Sequence, residues 1–276
     1  MMDQTGGDDI EELKAADARQ VHRAVREEGE AELDRPTASL LWSALAAGLA
    51  ITASLLAEAV IHDMTAATPW QPLLVSLGYP VGFLIVILGR MQFFTESTIT
   101  AMLPLVTRPS WRKARRTLRL WGLVLVANLT GTAIATLALT GLPLVDPALR
   151  DGMVAVSAAI LEHDALSTFR TAIPAGFLIA GIAWLLPNAR EQSFWVIATL
   201  TYIVGAAGLS HSVVGSAEAF TLLWAGQIDA ARALGSLIAP AVAGNLIGGA
   251  GLFALLAHGQ VHGEPTDNPP TDNGRG

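Results

Sequence analysis

The chain has 276 residues, of which 52% are hydrophobic and only 15% charged, with a mean hydropathy of +0.47. That balance lies outside the range of soluble domains and is that of a membrane protein. The absence of cysteine excludes disulfides and thiolate metal sites. Much of the acid behind the net charge of −7 sits in one polar N-terminal segment, so nothing points to nucleic acid as a partner.

Met1 to Asp34 has neither the basic start nor the apolar core of a cleavable signal peptide. Within it, Ile10, Leu13, Val21 and Val25 recur at roughly helical spacing and predict a helix. That helix either lies solvated on the surface or docks over the mouth of the membrane domain. Residues 1–36 are read as an acidic, helical, cytoplasmic extension. Residues 37–260 form the transmembrane domain, and residues 261–276, rich in proline and aspartate, form a disordered cytoplasmic tail.

A helix needs about 20 apolar residues to cross a bilayer. On that rule spans are predicted at Leu40–Ile61, Leu118–Leu139, Phe169–Leu186 and Ala233–Ala257. Leu73–Val106 and Phe194–Leu223 are too long for one straight crossing. Each carries a polar cluster far from its ends, Gln92 to Thr98 in the first and Gly208 to Ser212 in the second. The fold expected is therefore all-α, with six transmembrane helices of which the second and fifth are broken inside the membrane. Lys and Arg concentrate on one side of this arrangement: Lys14, Arg19, Arg23, Arg26 and Arg35 before the first span, and Arg108, Arg112, Lys113, Arg115, Arg116 and Arg119 after the second. By the positive-inside rule, both termini are cytoplasmic.

Asn128-Leu129-Thr130-Gly131-Thr132-Ala133 in the third span recurs as Asn245-Leu246-Ile247-Gly248-Gly249-Ala250 in the sixth. Two copies three helices apart have opposite orientation. Broken helices at matching positions of two inverted halves point to a substrate path near the midplane, because unwound backbone is tolerated only where it is buried in protein or lines a cavity.

Ionisable groups at membrane depth are functional candidates by default. His211 alone among six histidines lies deep within a span. It can take a proton as an anion approaches, or serve only as a buried hydrogen-bonding partner of Ser210 and Ser212. Thr95, Glu96, Ser97 and Thr98 form the matching polar break; Thr95 is the candidate to face His211, and these hydroxyls equally suit capping of freed backbone ends. Phe93, Phe94, Val204 and Leu209 flank the breaks as candidate apolar constrictions or as ordinary packing. Arg90 and Glu96 are placed to pair across the break. Glu58 and Glu218 fit structural or interface roles. Asn128 and Asn245 suit hydrogen bonding between helices packed on Gly131, Gly248 and Gly249.

Three of these elements resemble the formate/nitrite transporter family. Phe93-Phe94-Thr95-Glu96-Ser97-Thr98 is similar to its L-F-T-x-[NS]-T element in broken helix two. Leu209-Ser210-His211-Ser212-Val213-Val214 is similar to F-x-H-S-x-x in broken helix five, and Gly244-Asn245-Leu246-Ile247-Gly248-Gly249 to G-N-x-x-G-G in helix six. The acidic N-terminus further resembles an inner-membrane branch of unknown substrate. The resemblance spans roughly Pro36 to Gln260 and implies an aquaporin-like fold of two inverted three-helix repeats. It also implies a homopentamer in the inner membrane, no cofactor, and a pore for formate, nitrite or a similar monovalent anion. The pore and substrate-binding set is then His211, Thr95, Phe94, Phe93, Asn245, Val204, Leu209, Ser212 and Glu96, with proton transfer near the histidine. Two positions depart from the pattern: Asp164 stands where a vestibule lysine is expected, and Val204 where a constricting phenylalanine is expected.

Two other functions are weighed against this one. An aquaporin-like channel for neutral solutes would pair two Asn-Pro-Ala loops, whereas this chain has only Pro187-Asn188-Ala189. An intramembrane hydrolase would need a nucleophile and base that reach each other, and neighbours such as Ser210 and His211 do so rarely; no Gly-x-Ser-x-Gly elbow is present. The chain is read as a transporter and not as an enzyme.

Overall fold

Asp17 starts the first helix, α1 (Ala18–Asp34), through a reciprocal capping box with Gln20, which satisfies two of the free N–H groups of the first turn. The computed structural model describes residues 16–65 and 68–262, all helix, turn or coil. Ile10 and Leu13 of the expected N-terminal helix, and the tail from Gly263, lie outside the described residues.

After α1 come α2 (Thr37–Met64), α3 (Gln71–Val75), α4 (Pro80–Leu88), α5 (Phe94–Thr100), α6 (Met102–Thr107) and α7 (Trp111–Gly141). The second half holds α8 (Pro147–Ser157), α9 (Ala165–Leu185), α10 (Ser193–Ala206) and α11 (Ser212–Trp224). The last helix, α12 (Arg232–His262), carries π-helical turns at Arg232–Ile238 and Ile247–Phe253. Among the described residues, five stretches are long and apolar enough to cross a membrane: Thr37–Met64, Gln71–Leu88, Trp111–Gly141, Ala165–Asn188 and Arg232–His262. The apolar α10 has only 14 residues, about 21 Å of helix, which is short of the roughly 30 Å hydrocarbon core; α11 follows it after five residues. The chain is interrupted between α4 and α5 and between α10 and α11, at the two polar clusters where breaks were expected, an arrangement compatible with the six helices expected.

Sequence reading placed Arg112 to Arg119 in a loop, but Ser110 caps α7 by accepting from Lys113 N–H, so these residues form its first turns. The amphipathic α8 had no counterpart among the predicted spans; it lies against α2 through Met153 and Leu55.

α1 is docked rather than solvated. Val21, His22, Val25, Gly29 and Leu33 are buried, and Val21 and Val25 pack with Ile99, Leu103, Ala180 and Ala254. Gly29 allows the approach, since a Cβ there would collide with Thr100 O. Polar ties surround this contact. Gln92 Nε2 donates to Glu32 Oε1 (2.9 Å), Thr100 Oγ1 donates to Glu32 Oε2 (2.5 Å), and Arg90 pairs with Glu28 (3.0 Å). Arg116 pairs with Asp34.

Two groups in this contact titrate with opposite sign. Burial raises the Glu32 carboxyl above its ordinary value, against hydrogen bonds from Thr100 and Gln92 that lower it. Burial, then the neighbouring His258 and Arg26, lowers His22 to about 4. A raised acid stabilises docking below its free value and loses that contribution as pH climbs through the docked value. A lowered histidine does the reverse, losing its contribution as pH falls from the ordinary value of about 6.5 toward the docked one. In His22→Gln, protection of the α1 amides, corrected for the roughly tenfold rise in intrinsic exchange per pH unit, is therefore expected to fall as pH rises. In Glu32→Gln the corrected protection is expected to fall as pH falls, and mass-resolved exchange across that range checks both.

Candidate functional site

The two breaks are built alike. At the first, α4 ends with Met91 N–H donating back to Val86 O (3.0 Å) while Arg90 takes a left-handed conformation at φ 53°. At the second, Leu209 N–H donates to Val204 O (3.0 Å) and Gly208 sits at φ 61°. Both are helix ends closed by a left-handed residue. Glycine bears that conformation freely; Arg90 bears it at a cost.

The repeated asparagines hold the restarting helices. Asn128 Oδ1 accepts from Phe94 N–H (2.9 Å), and its Nδ2 donates to Ala44 O (2.7 Å) and Gln92 O (3.1 Å). Asn245 Oδ1 accepts from Ser212 N–H (2.8 Å), and its Nδ2 donates to Ala172 O (2.8 Å) and Ser210 O (3.2 Å). Val86 with Val204, Arg90 with Gly208 and Phe94 with Ser212 stand at one constant separation in sequence, so the duplication extends well beyond the six-residue string. Each asparagine satisfies an N–H and a C=O that the break frees at membrane depth, where no water can do so. Small residues bring the supporting helices together: Gly48 lies on the backbone of Asn128, and Gly176 on that of Asn245.

His211 and Phe93, equivalent positions of the two repeats, meet face to face with ring centroids 5.6 Å apart and 12° between planes. The Phe83 ring closes on His211 edge-on at 5.1 Å. His211 Nδ1 accepts from Val214 N–H (3.2 Å), which leaves the proton on Nε2, and Nε2 donates to Thr95 Oγ1 (2.9 Å). The tautomer follows from the fixed backbone donor. Protonating Nδ1 would break the bond from Val214, so this geometry holds the imidazole neutral, as a hydrogen-bond donor at Nε2.

A cavity of about 320 Å³ ends on His211. Its rim holds His62 and His163, and Leu209, Ser210 and Gly215 line its inner part. His62 is near the end of α2, whose 28 residues span about 42 Å, so the cavity opens on the face opposite α1. Of the predicted residues, His211, Thr95 and Phe93 come together and Leu209 borders the cavity. Asn245 and Ser212 act through the backbone at the break, while the Ser212 hydroxyl has no hydrogen-bond partner. Phe94 and Val204 are core packing. Glu96 faces the α1 side, near Glu32, Glu28 and Arg90, and the ion pair expected between Arg90 and Glu96 is replaced by Arg90 with Glu28. Phe83 was not singled out in the sequence, although it follows Tyr79 by one helical turn and the two rings lie 5.5 Å apart. Asp164 caps α9 by accepting from Ser167 N–H (2.7 Å), is exposed, and is held below the usual carboxylate range first by that bond. It does not line the cavity.

The formate/nitrite transporter family model matches residues 19–259. The chain belongs to the formate/nitrite transporter family. It is similar to inner membrane protein YfdC of Escherichia coli (strain K12), with 37% identity over 247 residues that cover 90% of this chain and 80% of the relative. Among solved structures, its fold resembles an FNT family ion channel, with TM-score 0.71 and 17% identity over 90% of this chain and 98% of that one. It also resembles a pentameric formate channel with formate bound, with TM-score 0.67 and 17% identity over 82% of this chain and 97% of that one. The chain is thus a multi-pass membrane protein of a transporter family, with the all-α fold of the FNT channels.

Proposed function

We propose that the protein is a channel for a small monovalent weak acid such as formate or nitrite, and that the substrate crosses the midplane at His211. One observation carries this reading: the cavity ends on a buried imidazole whose Nε2–H, with the Thr95 hydroxyl, sits where the two broken helices meet. A bare anion between the rings of Phe93 and Phe83 pays a large desolvation penalty. A neutral acid pays far less, and a donor at Nε2 offsets part of what remains. Proton exchange with the imidazole is not needed in this arrangement, because the substrate can arrive already protonated.

The membrane is the bacterial inner membrane, in keeping with the relative of that description, and the basic N-terminal turns of α7 support, by the positive-inside rule, a cytoplasmic side for α1 and both termini. The cavity then opens outward. The chain assembles as a homo-oligomer, and the pentamer of the formate channel is the arrangement we assign to it. In support, the membrane-facing surface carries an apolar groove among Val126, Ile134, Phe220, Trp224 and Leu234. Residues 1–36 form the cytoplasmic extension and residues 37–260 the channel; neither carries a catalytic step.

Uptake of formate, nitrite, hydrosulfide and glycerol into proteoliposomes, corrected for protein-free vesicles, tests this reading. Weak-acid uptake that quickens as the medium is acidified, with glycerol excluded, is expected. Uptake of glycerol alone would make the protein a neutral-solute channel.

A further inference from the structure

The outward cavity is lined by two carboxyl groups, Glu58 and Glu218, and by no lysine or arginine among the described residues. Glu58 is 5% exposed, on the last turns of α2, where Gly78 lets the chain between α3 and α4 lie against its backbone. Its Oε2 is buried and has no hydrogen-bond partner. Thr168, at the start of α9, is 3% exposed and lines the same cavity, and its hydroxyl is likewise without a partner. Glu218 folds back along α11 toward its N-terminus, as helical side chains do, so that a Cβ on Gly215 would lie 3.8 Å from Oε2. Its carboxyl therefore sits one turn from His211 and within electrostatic reach of Glu58. A buried polar atom without a partner is rare and calls for an explanation; here two residues with such atoms line one cavity.

The other titratable groups that face these carboxyls across the cavity are few. Tyr79 stands between α3 and α4, His62 and His163 lie at the rim, and His211 lies at the inner end, while α8 and α12 contribute only Ala155, Val156, Leu237 and Ala241. Ionised, each glutamate would be a charge held out of water, facing the other, with no cation and no donor beside it. An isolated carboxylate is far costlier to bury than the acid, and a like charge nearby adds to that cost. Both side chains are therefore neutral acids, each with an O–H to donate. Together with the Thr168 hydroxyl they give one cavity three O–H donors with no acceptor in the protein. A small anion is the complement, since it supplies acceptors only. Hydrogen bonds to an ion are about twice as strong as those between neutral groups, so an anion is held here without a fixed positive charge.

We propose that this cavity is a binding site for the substrate anion built from neutral donors, in which the protonated carboxyls of Glu58 and Glu218 and the hydroxyl of Thr168 donate to its oxygens. The inference rests on the weak-acid function proposed above for the identity of the anion. It separates the form that binds from the form that crosses: the anion is held in the vestibule, and the neutral acid formed when it takes a proton from the outer solution passes His211.

The test is equilibrium binding of radiolabelled formate to the full-length protein in detergent at about pH 6, where a carboxylic acid of ordinary strength is almost wholly anion. The native protein is expected to bind formate saturably. Glu58→Gln with Glu218→Gln keeps an N–H donor at each position and is expected to hold the half-saturating concentration within about twofold of native. Glu58→Leu removes a donor to a charged partner and is expected to raise it about tenfold to a hundredfold, and Thr168→Val to raise it severalfold. If Glu58→Leu does not fold, the glutamine pair and Thr168→Val decide by themselves. Binding tightened by more than about tenfold in the glutamine pair would mean that the native carboxyls are charged and repel the anion, which overturns the proposal. So does native affinity in both Glu58→Leu and Thr168→Val, and so does an absence of saturable binding by the native protein. Weak-acid uptake by vesicles without such binding removes this site and leaves the channel function standing, whereas binding with these variant effects but no uptake leaves the site and removes that function.

Discussion

Asn245→Leu is expected to destroy the fifth-helix break and with it all transport. The substitution is close in volume, so packing changes little, but Ser212 N–H, Ala172 O and Ser210 O lose their partner at once. Each buried group left unpaired costs about 1–3 kcal/mol; Ala172 O lies inside α9, but the two groups that the break itself frees, Ser212 N–H and Ser210 O, together cost roughly 2–6 kcal/mol, a large share of the 5–15 kcal/mol or so that stabilises a typical folded protein. The damage is directed at function, because Ser212 begins the helix for which His211 is the capping residue. Asn245→Asp separates the roles. It keeps the acceptor for Ser212 N–H and loses the donor to the two carbonyls, so partial stability with disturbed transport is expected. Thermal unfolding in detergent alongside vesicle uptake distinguishes these outcomes; an Asn245→Leu protein with native stability and uptake would show that the break is held by something else. Asn128→Leu is expected to act in the same way on the first break.

The sequence made the membrane architecture legible because its cues are physical and local. Apolar length marks the spans, a polar cluster inside an over-long segment marks a break, and an Asn-Leu-x-Gly-x-Ala string repeated three spans later marks the duplication. The same reading placed His211 opposite Thr95, since equivalent breaks of inverted repeats meet near the midplane. It failed where identity alone does not set direction. Phe93 and Phe94 are adjacent aromatic residues at one break, yet only Phe93 faces the histidine; Phe94 turns into the core because its own N–H is tied to Asn128. Glu58 and Glu218 read as structural because a fixed negative charge sits poorly on an anion path, and only the fold brings both to the lining of the cavity that reaches His211. Asp164, by contrast, drew attention at a position where charge was expected to guide substrate, and the structure spends it on capping α9. α1 was ambiguous for a simpler reason: a sparse apolar stripe fits water on one side or a docked surface equally well until its partner, the Ile99 and Leu103 face, is known.

On the proposed function, passage turns on His211. His211→Phe keeps a ring between Phe93 and Phe83 and removes both nitrogens; Thr95→Val keeps the shape and removes the hydroxyl. A polar group held away from water without its partner costs about 1–3 kcal/mol, so loss of the Nε2 donor at the crossing point slows passage about fivefold to a hundredfold. The measurement is initial formate uptake by proteoliposomes containing native, His211→Phe or Thr95→Val protein across a range of external pH. The account predicts that His211→Phe is slower by at least about fivefold at every pH while still quickening with acid, and that Thr95→Val falls between it and the native protein. Formate uptake by His211→Phe at the native rate would contradict the account.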